Sequence, residues 1–123
     1  MTAGPDPARP GRQRGAGTVL VLAILMVAAM LAVTIAALGR VASARGTAQA
    51  AADLAAIAAA TAASSGSRPP CQVARQVVQL NGAQLTRCVA LDGGDIAVAA
   101  AVPVLVWGRE WIASATARAG PVR

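Results

Sequence analysis

Histidine, lysine, tyrosine and phenylalanine are all absent from this 123-residue chain. Without histidine or lysine there is no imidazole for acid–base or metal-ligand work, no amine for a Schiff base and no P-loop lysine. Carboxylates are few and scattered, at Asp6, Asp53, Asp92, Asp95 and Glu110. The two cysteines, Cys71 and Cys88, cannot fill a zinc site by themselves. These absences point to a non-catalytic protein with no cofactor, no metal and no small-molecule substrate. The only aromatics are Trp107 and Trp111, so none is interleaved with arginine for base stacking. The net charge of +6 is dispersed and clusters only at Arg9, Arg12 and Arg14. Nucleic acid is therefore not an expected partner.

What is present is aliphatic. The chain is 56% hydrophobic and holds 33 alanines, too apolar for an ordinary soluble protein of this length. The length suits one small domain with an anchor. Residues 1–14, rich in Pro, Gly and Arg, read as a disordered basic leader. Residues 15–39 read as a transmembrane helix, because Ala16 to Gly39 carry no charge. As a helix this run is about 36 Å long, enough to cross a hydrocarbon core of about 30 Å. Arg9, Arg12 and Arg14 precede it, and Arg40 and Arg45 follow. That bias predicts a cytoplasmic N-terminus and an exported C-terminal part in the plasma (inner) membrane. Ala42-Ser43-Ala44 has the small-x-small form of a signal-peptidase site. The alternative is thus a small secreted effector or binding protein released after Ala44.

Residues 40–65 continue as an Ala-rich helical stalk, broken only by Gly46 and stopped by Ser64-Ser65-Gly66 and Pro69-Pro70. Ala48, Ala52, Ala56 and Ala60 recur every four residues, a spacing that permits close backbone approach. Leu54 and Ile57 belong to a narrow apolar stripe, and Gln49 and Asp53 to a polar one. Two readings stand for the small-residue surface: packing on the chain's own C-terminal domain, or an interface with other helices.

Residues 66–123 read as a small exported α+β domain. CQVARQVVQLNG predicts a helix with Val73, Ala74, Val77 and Leu80 on one face and a stop at Asn81-Gly82. AQLTRCVAL alternates Leu85, Arg87, Val89 and Leu91 against Gln84, Thr86, Cys88 and Ala90. Asp92-Gly93-Gly94-Asp95 is a turn. IAVAAAVPV places Ile96, Val98, Ala100, Val102 and Val104 on one face. A loop with Trp107 and Trp111 then leads to a last strand over ASATARAGP. The expected fold is α+β, a long N-terminal helix followed by a short helix and a three-stranded antiparallel meander. So small a core calls for a staple. A Cys71–Cys88 disulfide would stabilise the domain by about 3 kcal/mol in the chain-entropy model; the other reading is two separate buried thiols. The tryptophans either cap the core or lie on a membrane surface or a partner.

The stretch from Arg12 and Arg14 through Gly15-Ala16-Gly17-Thr18-Val19, the apolar span, Gly39-Arg40 and Ala48-Gln49-Ala50-Ala51-Ala52-Asp53-Leu54-Ala55-Ala56-Ile57 resembles the TadE/TadG-like family of Flp (tight-adherence) pilus-assembly proteins. Cys71, Cys88 and the closing Arg118-Ala119-Gly120-Pro121 look like the short, secretion-associated TadE-like members. The resemblance implies a bacterial, single-pass, pseudopilin-like or accessory membrane protein of a Flp-type pilus or related secretion system. It implies no enzymatic activity. The partners it implies are the membrane and other pilus or secretion-system membrane proteins, or a second copy of the chain. A prepilin-type cut after Gly15 would place Leu20 where prepilins carry a glutamate, so an uncleaved accessory protein is expected rather than a pilus subunit.

Overall fold

Alanine is the best helix former, and the two consecutive aliphatic runs are helical in the computed structural model: α1 spans Arg9–Ser65. The structure describes residues 9–121, and side chains from Gly15 onward. The chain divides into two units, residues 1–37 and 38–123. In the first, every described side chain from Gly15 to Ala36 is exposed, and Ala37 is half-buried. Among them Val19, Met26, Met30 and Ile35 each present about two thirds or more of their surface.

The second unit starts with the remainder of α1. Gly66, at φ +64°, and Pro69 end the helix and start α2, Pro70–Leu80. Proline at the first helical position removes an N–H that would have no partner there. Three strands follow: β1 (Gln84–Ala90), β2 (Ile96–Val106) and β3 (Arg109–Ala119). They form one antiparallel meander in the order β1-β2-β3, so the expected α+β architecture is the observed one. Asp92–Gly94 makes a 3-10 turn between β1 and β2. Leu91 N–H closes it onto the Asp95 carbonyl at 2.7 Å.

The core lies between the sheet and the helices. Ala51, Ala52, Ala55, Ala56 and Ala59 of α1 pack with Ala74 and Val78 of α2 and with Ile96, Val98 and Ala100 of β2. Ile96, Val98, Ala100 and Val104 are buried and Val102 is half-buried, as the alternation of β2 predicts. Helical alanines let the sheet approach closely, so side chains no larger than valine and isoleucine fill this core.

Three local expectations fail. Leu80 is 78% exposed, whereas Ala74 and Val78 are fully buried. At about 100° per residue Leu80 points roughly 140° away from the middle of that pair, so it lies off the buried stripe. In β1 the strict alternation is broken by a bulge: Leu85 pairs with Ala100 and Arg87 with Ala99, leaving Thr86 as the extra residue. Thr86 Oγ1 donates to the Ala99 carbonyl at 3.2 Å. The shift of phase puts Cys88 opposite Val98 on the core side, the face Leu85 also occupies. Finally, the expected loop around the tryptophans is only two residues long. Val106 pairs with Arg109, Trp107 and Gly108 form the turn, and Trp111 already belongs to β3 opposite Val104.

Candidate anchor and association surfaces

The candidate anchor is the exposed apolar part of α1. The most apolar eighteen-residue window of α1 has a mean hydropathy of 3.0 and none of it is buried. Leucine, isoleucine, valine and methionine stand on every side of the helix. Contiguous apolar surface of this extent is not left to water by a stable soluble protein. The topology residues Arg9, Arg12 and Arg14 have side chains outside the described residues. So does the rest of the expected leader, although α1 begins at Arg9.

Within the second unit the six expected association residues separate into two groups. Ala48, Ala52 and Ala56 are buried within the unit, at 0–1% exposure, and Ala60 is half-buried against the same core. Leu54 and Ile57 remain 49% and 58% exposed. The close approach that the alanine spacing permits is therefore made to the chain's own core, while Leu54 and Ile57 stay free for another surface. Ala44, last residue of the small-x-small site, is buried against Val104 and Ala113 and lies inside α1.

Gln49 and Asp53 meet on the polar stripe. Gln49 Nε2 donates to Asp53 Oδ1 at 2.9 Å and to the Thr116 carbonyl of β3 at 3.4 Å. Cys71 and Cys88 stand at bonding distance, with Cα atoms 5.7 Å apart. The bulge in β1 is what turns Cys88 toward the N-terminus of α2.

One cluster has no forerunner in the sequence reading. Arg118 donates from Nε and Nη2 to Asp95 Oδ2, at 2.8 and 2.5 Å. Gly120 lies so close to Asp95 that a Cβ there would overlap the carboxylate and come within 3.2 Å of the Asp95 Cα. Register carries this contact, since Ile96 pairs with Ala119. The only available signal was the terminal Arg-Ala-Gly-Pro string itself.

Comparison with known proteins bears on the N-terminal part of the chain. Residues 15–62 match the model of the TadE/G-like Flp pilus-assembly family. The match takes in the apolar run and nearly all of the Ala-rich helix, and it ends before α2 and the sheet. No curated protein and no solved structure matches the chain. The TadE/G-like match and the exposed apolar helix together point to membrane association.

Proposed function

We propose that this chain is a membrane-anchored, non-catalytic accessory component of a Flp/Tad-type pilus or a related secretion system. The observation that carries the reading is the TadE/G-like match over residues 15–62, coinciding with an unburied apolar helix. In this reading residues 15–39 cross the inner membrane once. The arginines of the leader hold the N-terminus in the cytoplasm, and the second unit is exported. There the Cys71–Cys88 pair is a structural disulfide, in keeping with an oxidising compartment. Other membrane components of the machine, or a second copy of the chain, dock on the exposed Leu54 and Ile57 side of the helix. Ala48, Ala52 and Ala56 support that surface from within.

Intact mass on protein recovered separately from membranes and from the medium tests this. Full-length protein in the membrane fraction, two hydrogens lighter before reduction than after, is the expected result. A fragment beginning at Arg45 in the medium would make the chain a secreted protein and the apolar run its export signal. Protease added outside spheroplasts is expected to digest the second unit. Its full protection would overturn the orientation.

A further inference from the structure

The hairpin joining β2 and β3 ends in an apolar tip that the core does not use. Leu105, Trp107, Trp111 and Ile112 are 62%, 76%, 54% and 69% exposed. They do not share one face. Trp111 pairs with Val104 on the helix-facing side of the sheet, whereas Leu105 and Ile112 belong to the opposite side and Trp107 occupies the turn. Apolar groups therefore lie on both faces of the tip, with the exposed Arg109 and Glu110 between them. A flat protein surface would meet one face of the hairpin, whereas the fluid membrane–water interface can meet both and accommodates mixed apolar and charged groups.

The packing fixes where this tip lies within the second unit. β2 runs back along α1: Ile96, Val98 and Ala100 pack with Ala51–Ala59, whereas Val104 packs with Ala44 and Val106 leans on the same cluster. Ala44 is five residues beyond Gly39, about 7.5 Å of helix. Trp107 is three residues beyond Val104, up to about 10 Å of strand. The turn thus reaches the level of Leu38–Arg40, where the uncharged run ends. Arg109 in the tip and Arg40 on the helix are both exposed there, with chemistry suited to lipid phosphates.

The turn is also conformationally costly. A two-residue hairpin turn of this hand needs positive φ at both positions, which Asn-Gly supplies readily. Here Gly108 takes φ +71° and Trp107 takes φ +51°. A bulky side chain is a rare occupant of that region. An exposed tryptophan kept at a strained position is a reason to look for what it touches.

We propose that the tip formed by Trp107, Trp111, Leu105 and Ile112 seats in the headgroup layer of the bilayer that anchors the chain, fixing the second unit against the membrane surface. This rests on the membrane-anchored reading given above. Indole suits that layer because it has an apolar ring and one N–H donor.

The two tryptophans are the only ones in the chain, so fluorescence reports on the tip alone. Full-length Trp111→Phe protein, emitting from Trp107 only, is reconstituted into phosphatidylcholine–phosphatidylglycerol vesicles. The vesicles carry spin labels at the headgroup or deep in the acyl chain. Co-flotation with vesicles is scored first. The expected result is flotation with Trp107 emission quenched by about half or more by headgroup labels and far less by deep ones. Flotation with identical emission in labelled and unlabelled vesicles would overturn the proposal. Blue-shifted emission without quenching would overturn it too, placing the tip on a protein instead. Failure to float would overturn the anchored reading itself, and the docking of the tip with it.

Discussion

Gln49 donates to the main-chain carbonyl of Thr116, 67 positions later in the chain, while the same nitrogen donates to Asp53. The acceptor lies on β3, an edge strand of the three-stranded sheet. Edge strands carry main-chain groups without a strand partner, and a side-chain donor is one way to occupy them. The polar stripe of the helix is thus tied to the sheet and is not simply a solvated face. Gln49→Ala is expected to lower unfolding stability by about 0.5–1 kcal/mol in denaturant titration. Gln49→Glu should cost more than Gln49→Ala, because it places a carboxylate against a carbonyl and beside Asp53. Parent-like stability for Gln49→Ala would mean that the bond to Thr116 contributes nothing.

The alanine stripe yields the next prediction. Ala52 has no exposed surface and lies among Ala51, Ala55, Ala56 and the β2 side chains, so Ala52→Leu overpacks the core. A loss of about 1–3 kcal/mol is expected, read as a fall in the midpoint of denaturant unfolding. Leu54→Ala, on the exposed side, should stay within about 0.5 kcal/mol of the parent. Partner cross-linking in native membranes should respond in the reverse order for folded protein. Leu54→Asp is expected to weaken it, and unchanged cross-linking would remove that side of the helix as the docking surface.

How much of this was legible in the sequence varies by element. The apolar run, the Ala-rich helix, the meander and the buried face of β2 follow from periodicity and breakers, because each is a local signal repeated over many residues. The bulge at Thr86 was not legible, since one extra residue leaves no mark in composition and yet reverses the facing of Cys88. The turn at Trp107-Gly108 was hidden because tryptophan is not a turn residue. Whether the small stripe of α1 faces its own sheet or another helix is a tertiary question, and Ala48 spaced from Ala52 fits both. The Asp95–Arg118–Gly120 cluster depends on strand register, which no local pattern carries.

That cluster makes a sharp test. Gly120→Ala requires the Asp95 carboxylate to move, which disturbs its pairing with Arg118. The expected loss is about 1–2 kcal/mol by thermal unfolding. If the clash with Asp95 is the cause, Gly120→Ala should cost clearly less in an Asp95→Ala background, a non-additivity of about 0.5 kcal/mol or more. Full additivity would show that Gly120 is needed for some other reason.

Cys71 and Cys88 are separated by 17 positions, so a bond between them closes a short loop around α2 and the start of β1. Cys88→Ser should lower the stability of the second unit by about 3 kcal/mol. Reducing agent should do the same to the parent and leave the variant unmoved. A parent whose unfolding is insensitive to reductant would show that the bond does not form.

Trp107 separates stability from use. Its left-handed backbone costs about 1–2 kcal/mol that asparagine or glycine would largely avoid. Trp107→Asn should therefore raise the unfolding midpoint of detergent-solubilised protein, where no bilayer rewards the indole. In vesicles the gain should shrink or reverse, because the variant gives up the interfacial side chain. The comparison needs both media: a substitution that merely relieved a poor turn would stabilise equally in each, whereas at a tip built to meet lipid headgroups it stabilises less in vesicles than in detergent. Trp111→Phe, with no positive φ to relieve, serves as the control and should not raise the midpoint in detergent.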